Sequence, residues 1–130
     1  TREAPHCGFS EGEPWLPIPP EHRALNVADQ SHAAGSTINR MKRFLNWRRH
    51  RPELRGGTMR FFDLPEPLIG LERARHGQRL ICLFNIGTDP ETVPLPRERL
   101  GEPVKGHGLD WSMEGGVLHL PPDGGYFGAA

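Results

Sequence analysis

Histidine, cysteine and carboxylate side chains are the groups in this chain that could carry a reaction, and their spacing decides whether they do. Seven histidines, two cysteines and sixteen acidic residues are present. His6 beside Cys7 would supply half of a zinc site, but a tetrahedral site needs further nitrogen or sulfur ligands, and no second pair stands at ligand spacing. Asp63, Glu66, Glu72 and Asp110 are the candidates for a carboxylate pair, yet none sits in a pattern that would raise one pKa or set a separation between two carboxyls. Arg48-Arg49-His50-Arg51, following Trp47, offers guanidinium groups and an aromatic ring to phosphates and bases. Sixteen basic residues are cancelled by sixteen acidic ones, however, and no reader motif surrounds the run, so it is expected to be a solvated helix face with a structural ion pair. A glycine-rich phosphate loop, HExxH, CxxC and G-x-S-x-G are all absent. No residue is therefore assigned a catalytic, cofactor-binding or metal-binding role.

The elements that position these groups are few. Residues 36–51 make the one long helical pattern: Ser36 or Thr37 can cap its start, and Pro52 cannot continue its ladder. Ile38, Met41, Phe44 and Leu45 share a face, with Trp47 at its border and Lys42, Arg43, Asn46 and His50 opposite. Arg48 falls on the apolar side and so calls for a carboxylate or carbonyl partner. Residues 1–35 read as a proline-rich loop. In it, Pro14-Trp-Leu-Pro-Ile-Pro-Pro20 sets large apolar groups between prolines, which suits an extended segment lying on a larger body.

Beyond Gly56-Gly57 the chain reads as short strands divided by turns. Met59–Asp63 and Leu68–Arg73 come first, and Arg75-His76-Gly77 makes a hairpin loop. Gln78–Ile86 is apolar on both faces, with Leu80, Cys82, Phe84 and Ile86 on one and Ile81 and Leu83 on the other, so both sides require cover. Glu91–Leu95 reads as an edge strand because of its prolines, and Arg97–Gly108 is weak. Leu109–Met113 and Val117–Leu120 form a hairpin across Glu114-Gly115-Gly116, and a last strand carries Tyr126 and Phe127. The expected fold is mainly β: an antiparallel β-sandwich of Greek-key type, preceded by the loop and one amphipathic helix.

Composition limits the setting. A length of 130 residues permits one domain or part of one. No apolar run is long enough to span a membrane, and the first residues carry no export signal. Two cysteines, one in a loop and one in a strand, argue for reduced thiols and a cytoplasmic location.

Several stretches follow one another in a familiar order. Gly8-Phe9-Ser10, Pro14-Trp15-Leu16-Pro17, Asn26-Val27-Ala28-Asp29-Gln30, Ser36-Thr37-Ile38-Asn39 and Leu45-Asn46-Trp47-Arg48-Arg49-His50-Arg51-Pro52-Glu53-Leu54-Arg55-Gly56 come first. Arg79–Asn85 and Leu118–Gly125 complete the series. Together they resemble the C-terminal portion of bacterial α-glucosidases of the α-amylase superfamily, of oligo-1,6-glucosidase or α-glucosidase type. The resemblance implies that residues 1–55 are the end of a (β/α)8 barrel catalytic domain, with loop 1–35 and a last barrel helix at 36–51. Residues 56–130 would be the C-terminal β-sandwich domain. It implies a retaining glycoside hydrolase that releases glucose from the non-reducing end of α-glucosides, whose aspartate nucleophile and glutamate acid/base lie outside this chain.

By the same resemblance His6, Cys7 and Phe9 would lie nearest the substrate mouth without acting as ligands. The fragment itself is expected to be inactive and structural, with no cofactor. Its partner would be the missing barrel, it would meet α-glucoside only through the parent enzyme, and it would bind neither nucleic acid nor membrane. Self-association of its uncovered apolar faces is expected in isolation. A free-standing carbohydrate-binding or protein-interaction β-module is the alternative. It would need an exposed aromatic platform, for which Trp111 and Tyr126 are the candidates.

Overall fold

Local hydrogen bonds account for how the first third of the chain folds. A computed structural model describes residues 1–130. Asn26 accepts from the Asp29 N–H at 3.0 Å and so caps a short helix, Val27–His32. The amide of Asn39 reaches the carbonyl oxygens of Gln30, Ser31 and Ala33 at 2.9–3.0 Å, which occupies acceptors that the end of that helix leaves free. Ser36 Oγ accepts from the Asn39 N–H at 3.3 Å, at the start of the long helix Thr37–Arg49. Residues 1–35 are thus not loop throughout. They hold a kinked turn at Pro5–Gly8, with left-handed backbone at His6 and Cys7, and the helices α1 (Pro20–Ala24) and α2 (Val27–His32). Six residues are too few to display a periodicity, which is why the expectation of continuous loop missed α2.

The long helix α3 (Thr37–Arg49) is followed by one helical turn, α4 (Pro52–Gly56), which starts on Pro52 where a missing N–H costs nothing. The strands then run β1 (Thr58–Phe61), β2 (Leu68–Arg75), β3 (Gln78–Asn85) and β4 (Glu91–Thr92). A four-residue helix α5 (Arg97–Leu100) and β5 (Glu102–Pro103) occupy the segment expected to be weak. β6 (Ser112–Glu114), β7 (Val117–Leu120) and β8 (Gly125–Ala129) complete the chain. Of the expected strand Leu109–Met113 only the end is strand. The glycines at 106 and 108 take positive φ, and the His107 ring accepts from the Leu109 N–H at 3.2 Å, so residues up to Trp111 are irregular.

All strand pairs are antiparallel, in a five-stranded sheet ordered β1-β2-β3-β8-β5 and a three-stranded sheet ordered β4-β7-β6. The two faces of β3 have different covers. Ile81 and Leu83 join Leu68, Tyr126, Leu118 and Leu120 in a core between the sheets. Leu80 and Cys82 join Phe127 and Val104 in a second core, against which Phe44, Trp47 and Leu54 pack. The two-sided apolar strand thus has the cover it calls for on each side.

The chain divides into two compact units, Thr1–Arg43 and Phe44–Ala130, with the division falling inside α3. Inward residues in the second part of α3 are Phe44 and Trp47, while Met41 and Leu45 stay exposed. The sheet thus takes Phe44 of the apolar face and Trp47 at its border. Indole and phenyl rings offer the largest apolar area to the sheet.

Candidate functional site

None of the titratable groups singled out in the sequence converge. His6 and Cys7 both have positive φ in the kinked turn, and His6 Nε2 lies 3.8 Å from a carboxylate oxygen of exposed Glu13. No group of three His, Cys, Asp or Glu side chains could hold a metal ion. Asp63, Glu66 and Asp110 are exposed, whereas Glu72 accepts from both Nε and a terminal nitrogen of Arg79. Burial pushes the Cys82 thiol up to about 12, which leaves it a structural apolar group.

The basic run is tied to its own backbone. Arg48 donates to the Leu54 carbonyl oxygen at 3.0 Å, and His50 Nδ1 lies 2.8 Å from the Asn46 carbonyl oxygen. The guanidinium of Arg51 stands 5.4 Å from the centre of the Trp47 ring. Arg48 has the carbonyl partner its position calls for, though it meets it at the exposed surface. Arg73 and Arg75 reach the same connector from β2. Arg73 donates to the carbonyl oxygens of Glu53 and Gly57, both at 3.1 Å, and Arg75 to that of Pro52 at 3.3 Å. Three arginines thus hold the carbonyls of α4 and its flank, a use of guanidinium geometry that needs no carboxylate.

A cluster of aromatic rings fills the helix side of the sheet. Trp47 lies 4.6 Å from Phe127 between ring centres and 5.5 Å from His107, and His107 lies 4.9 Å from Phe127. Desolvation holds the buried His107 below the ordinary histidine pKa, partly offset by a backbone hydrogen bond at Val104 and the charge of Asp110. His107 lies in the segment Arg97–Gly108 expected to be weak, and its flanking glycines are the available signal that the chain passes close to another element there.

Trp111 and Tyr126 do not form a sugar platform. Tyr126 is 0% exposed, meets Trp111 edge-on at 5.1 Å and donates its hydroxyl to the Gly101 carbonyl oxygen at 3.1 Å. Both belong to the inter-sheet core. In the first unit, by contrast, Trp15 is 91% exposed and Phe9 83%. With Leu16, Ile18 and neighbouring prolines they line an open, mostly apolar cleft of about 600 Å³. His6, Cys7 and His22 also line it, and no hydrogen bond joins the thiol to either imidazole.

Two antiparallel sheets, three arginines bracing the helix-to-sheet connector and an uncovered apolar surface are the features to be compared with known proteins. The chain is 35% identical over 123 residues to "Probable alpha-glucosidase" of Rhizobium meliloti (strain 1021), a match over 95% of this chain and 22% of that protein. It is 27% identical over 96 residues to "Probable oligo-1,6-glucosidase 2" of Bacillus subtilis (strain 168), over 71% of this chain and 17% of that protein. Among solved structures, an alpha-glucosyl transfer enzyme, XgtA, superposes with a TM-score of 0.87 at 35% identity, over 98% of this chain and 24% of that one. The trehalulose synthase MutB from Pseudomonas mesoacidophila MX-45 shares the fold, with a TM-score of 0.76 at 20% identity over 94% of this chain and 23% of that one. No family model matches. The chain is thus similar, over nearly its whole length, to the C-terminal portion of bacterial α-glucosidases, and it spans about a fifth of the length of the curated relatives it matches.

Proposed function

We propose that this chain is the C-terminal scaffold of an α-glucosidase, a retaining glycoside hydrolase that releases glucose from the non-reducing end of α-glucosides. The observation that carries the reading is the likeness to an α-glucosidase and a glucosyl-transfer structure over at least 95% of the chain, both at 35% identity. Residues 1–55 complete a (β/α)8 barrel, α3 closes it, and residues 56–130 form the appended β-domain. The nucleophile and the acid/base belong to earlier barrel strands, so the 130-residue chain has no activity of its own. The parent enzyme works in the bacterial cytoplasm. No helix here is long and apolar enough to cross a membrane.

The test is glucose release from maltose, isomaltose and a chromogenic α-glucoside, by this chain and by the full-length gene product. Release by the longer protein alone is the expected result. A longer product that is inactive on all three substrates overturns the reading.

A further inference from the structure

Away from α3, the five-stranded sheet carries a row of charged side chains. Register places Arg60, Glu72, Ile81 and Gly128 side by side across β1, β2, β3 and β8, and Arg79 shares that face two residues before Ile81. Ile81 belongs to the core between the sheets, so the row lies on the face opposite the one that α3 meets. α5 closes on this face at Gly128, where the Leu100 carbonyl stands in the place of a side chain, and it brings Glu98 and Arg99 to the row. Arg60, Arg79 and Arg99, from three separate elements, thus line one cleft of about 280 Å³, with Phe62 in its wall.

The fold does not consume these guanidiniums. Glu72 accepts from Nε of Arg79 at 2.9 Å and from one terminal nitrogen, which fixes the group and leaves its other terminal nitrogen available. Arg99 stands over the Phe62 ring, 5.5 Å from its centre, a contact through the flat face that leaves the N–H edge free. The ion pairs of the chain are Arg2–Asp29, His6–Glu13, Arg79–Glu72 and Arg97–Glu102, so Arg60 and Arg99 belong to none. Converging N–H donors of this kind match the oxygens of a phosphate group, which takes guanidinium forks in bidentate fashion. Glu98, also outside every ion pair, adds an acceptor to the same wall. It opposes a bare anion and suits one that carries hydroxyl groups. We propose that this cleft binds a phosphate monoester of a small polyhydroxy compound, such as a sugar phosphate, with Arg60 and Arg99 on the phosphate oxygens and Glu98 accepting from a hydroxyl. Its volume lies at the small end of ligand sites, which suits a metabolite and not a polymer. The site does not depend on the activity proposed for the longer protein.

Isothermal titration calorimetry at fixed ionic strength tests this on the 130-residue chain and on the full-length gene product, with glucose 6-phosphate, inorganic phosphate and glucose as titrants. The expected result is binding of glucose 6-phosphate by both proteins, several-fold tighter than that of inorganic phosphate, and no binding of glucose by the 130-residue chain. Arg60→Gln and Arg99→Gln together should weaken the binding of glucose 6-phosphate about tenfold or more, while Arg49→Gln, at an exposed position of α3, leaves it unchanged. Melting temperatures without ligand confirm that the variants fold, and Arg60→Gln alone, on the edge strand, keeps the test readable where the double variant does not. No binding of glucose 6-phosphate, or an equal loss with Arg49→Gln, overturns the site. Inorganic phosphate bound as tightly as glucose 6-phosphate overturns the monoester and assigns the cleft to free phosphate. Binding that persists in full when both arginines are replaced lies elsewhere on the protein and also overturns the proposal.

Discussion

The indole N–H of Trp47 donates to the carbonyl oxygen of Lys105 at 3.0 Å, a bond between residues fifty-eight apart in the sequence. It ties the end of α3 to the irregular segment before β6, on the side where the Trp47 ring packs against Phe127 and His107. Trp47→Phe keeps a ring in the cluster and removes the donor, for a loss of about 1 kcal/mol. Trp47→Ala also empties the ring's place, for about 3 kcal/mol or more. Urea unfolding of both variants checks this; equal losses would mean that the hydrogen bond, not the ring, holds the segment.

Arg48→Met tests the connector. Arg48 is exposed, and its contact is one charge-assisted bond to the Leu54 carbonyl, so the expected loss is about 1 kcal/mol, or a fall of about 4 °C in melting temperature. In the full-length protein, turnover of α-glucoside should persist, because the residue supports the junction and not the reaction. An unchanged melting temperature would show that the carbonyl of Leu54 is as well served by water.

The fold was legible where burial left a pattern. β2, β3 and β7 were expected within two residues of their observed ends, because alternation and flanking turns mark them. That β3 needed cover on both sides followed from Leu80, Ile81, Cys82 and Leu83 alone. What was not legible was which element does the covering: Trp47 and Leu45 are equally apolar in sequence, and only the position of Phe127 on β8 selects Trp47. The short helices α2 and α5 were missed because four to six residues carry no periodicity; Asn26 followed by Asp29 was the one local sign of the first. For the candidate site, the sequence offered His6 beside Cys7 with no second ligand pair at spacing, and assigned no residue a role. Residue types also suggested Trp111 and Tyr126 as a platform, which the full burial of Tyr126 and the edge-on packing of half-buried Trp111 against it remove.

The two cysteines should separate cleanly in a thiol titration. Cys82 is 1% exposed and its pKa is pushed up to about 12, so near pH 8 almost none of it is thiolate. Cys7 is half-buried on a turn of the first unit. With an aromatic disulfide reagent, one thiol per chain should react under native conditions, and the second only in denaturant. Two native thiols reacting at similar rates would place Cys82 outside the sheet core.

Gly128→Ala should be among the most damaging of small substitutions. A Cβ at Gly128 would stand 1.7 Å from the Leu100 carbonyl oxygen and 2.9 Å from the Tyr126 ring. Gly128 pairs with Ile81 on one side and Pro103 on the other, so β8 cannot slide away. Overpacking of this kind costs about 3 kcal/mol, more than the roughly 1 kcal/mol that a glycine-to-alanine change can return through the unfolded chain. Loss of more than half the soluble yield, or a lowered urea midpoint, is the expected outcome; a variant as stable as the parent would mean that α5 does not close on β8.

His107 gives the chain a pH dependence whose sign is fixed by its surroundings. Burial against Trp47 and Phe127 disfavours the charged ring, so the folded-state pKa lies below the ordinary value of 6.5. The unfolded chain therefore takes up a proton at higher pH than the folded one. Stability contributed by the neutral ring is complete above the unfolded pKa and falls as pH drops from about 6.5 toward the lowered folded value, below which the loss levels off. Nδ1 accepts from the Leu109 N–H at 3.2 Å, so protonation also costs that bond. Denaturant midpoints measured between about pH 8 and pH 5 should decline at the acid end of the range. His107→Phe should flatten the decline while lowering stability at pH 8, since the ring's volume stays and its acceptor goes. A decline of the same steepness in the variant would assign the proton uptake to another of the seven histidines.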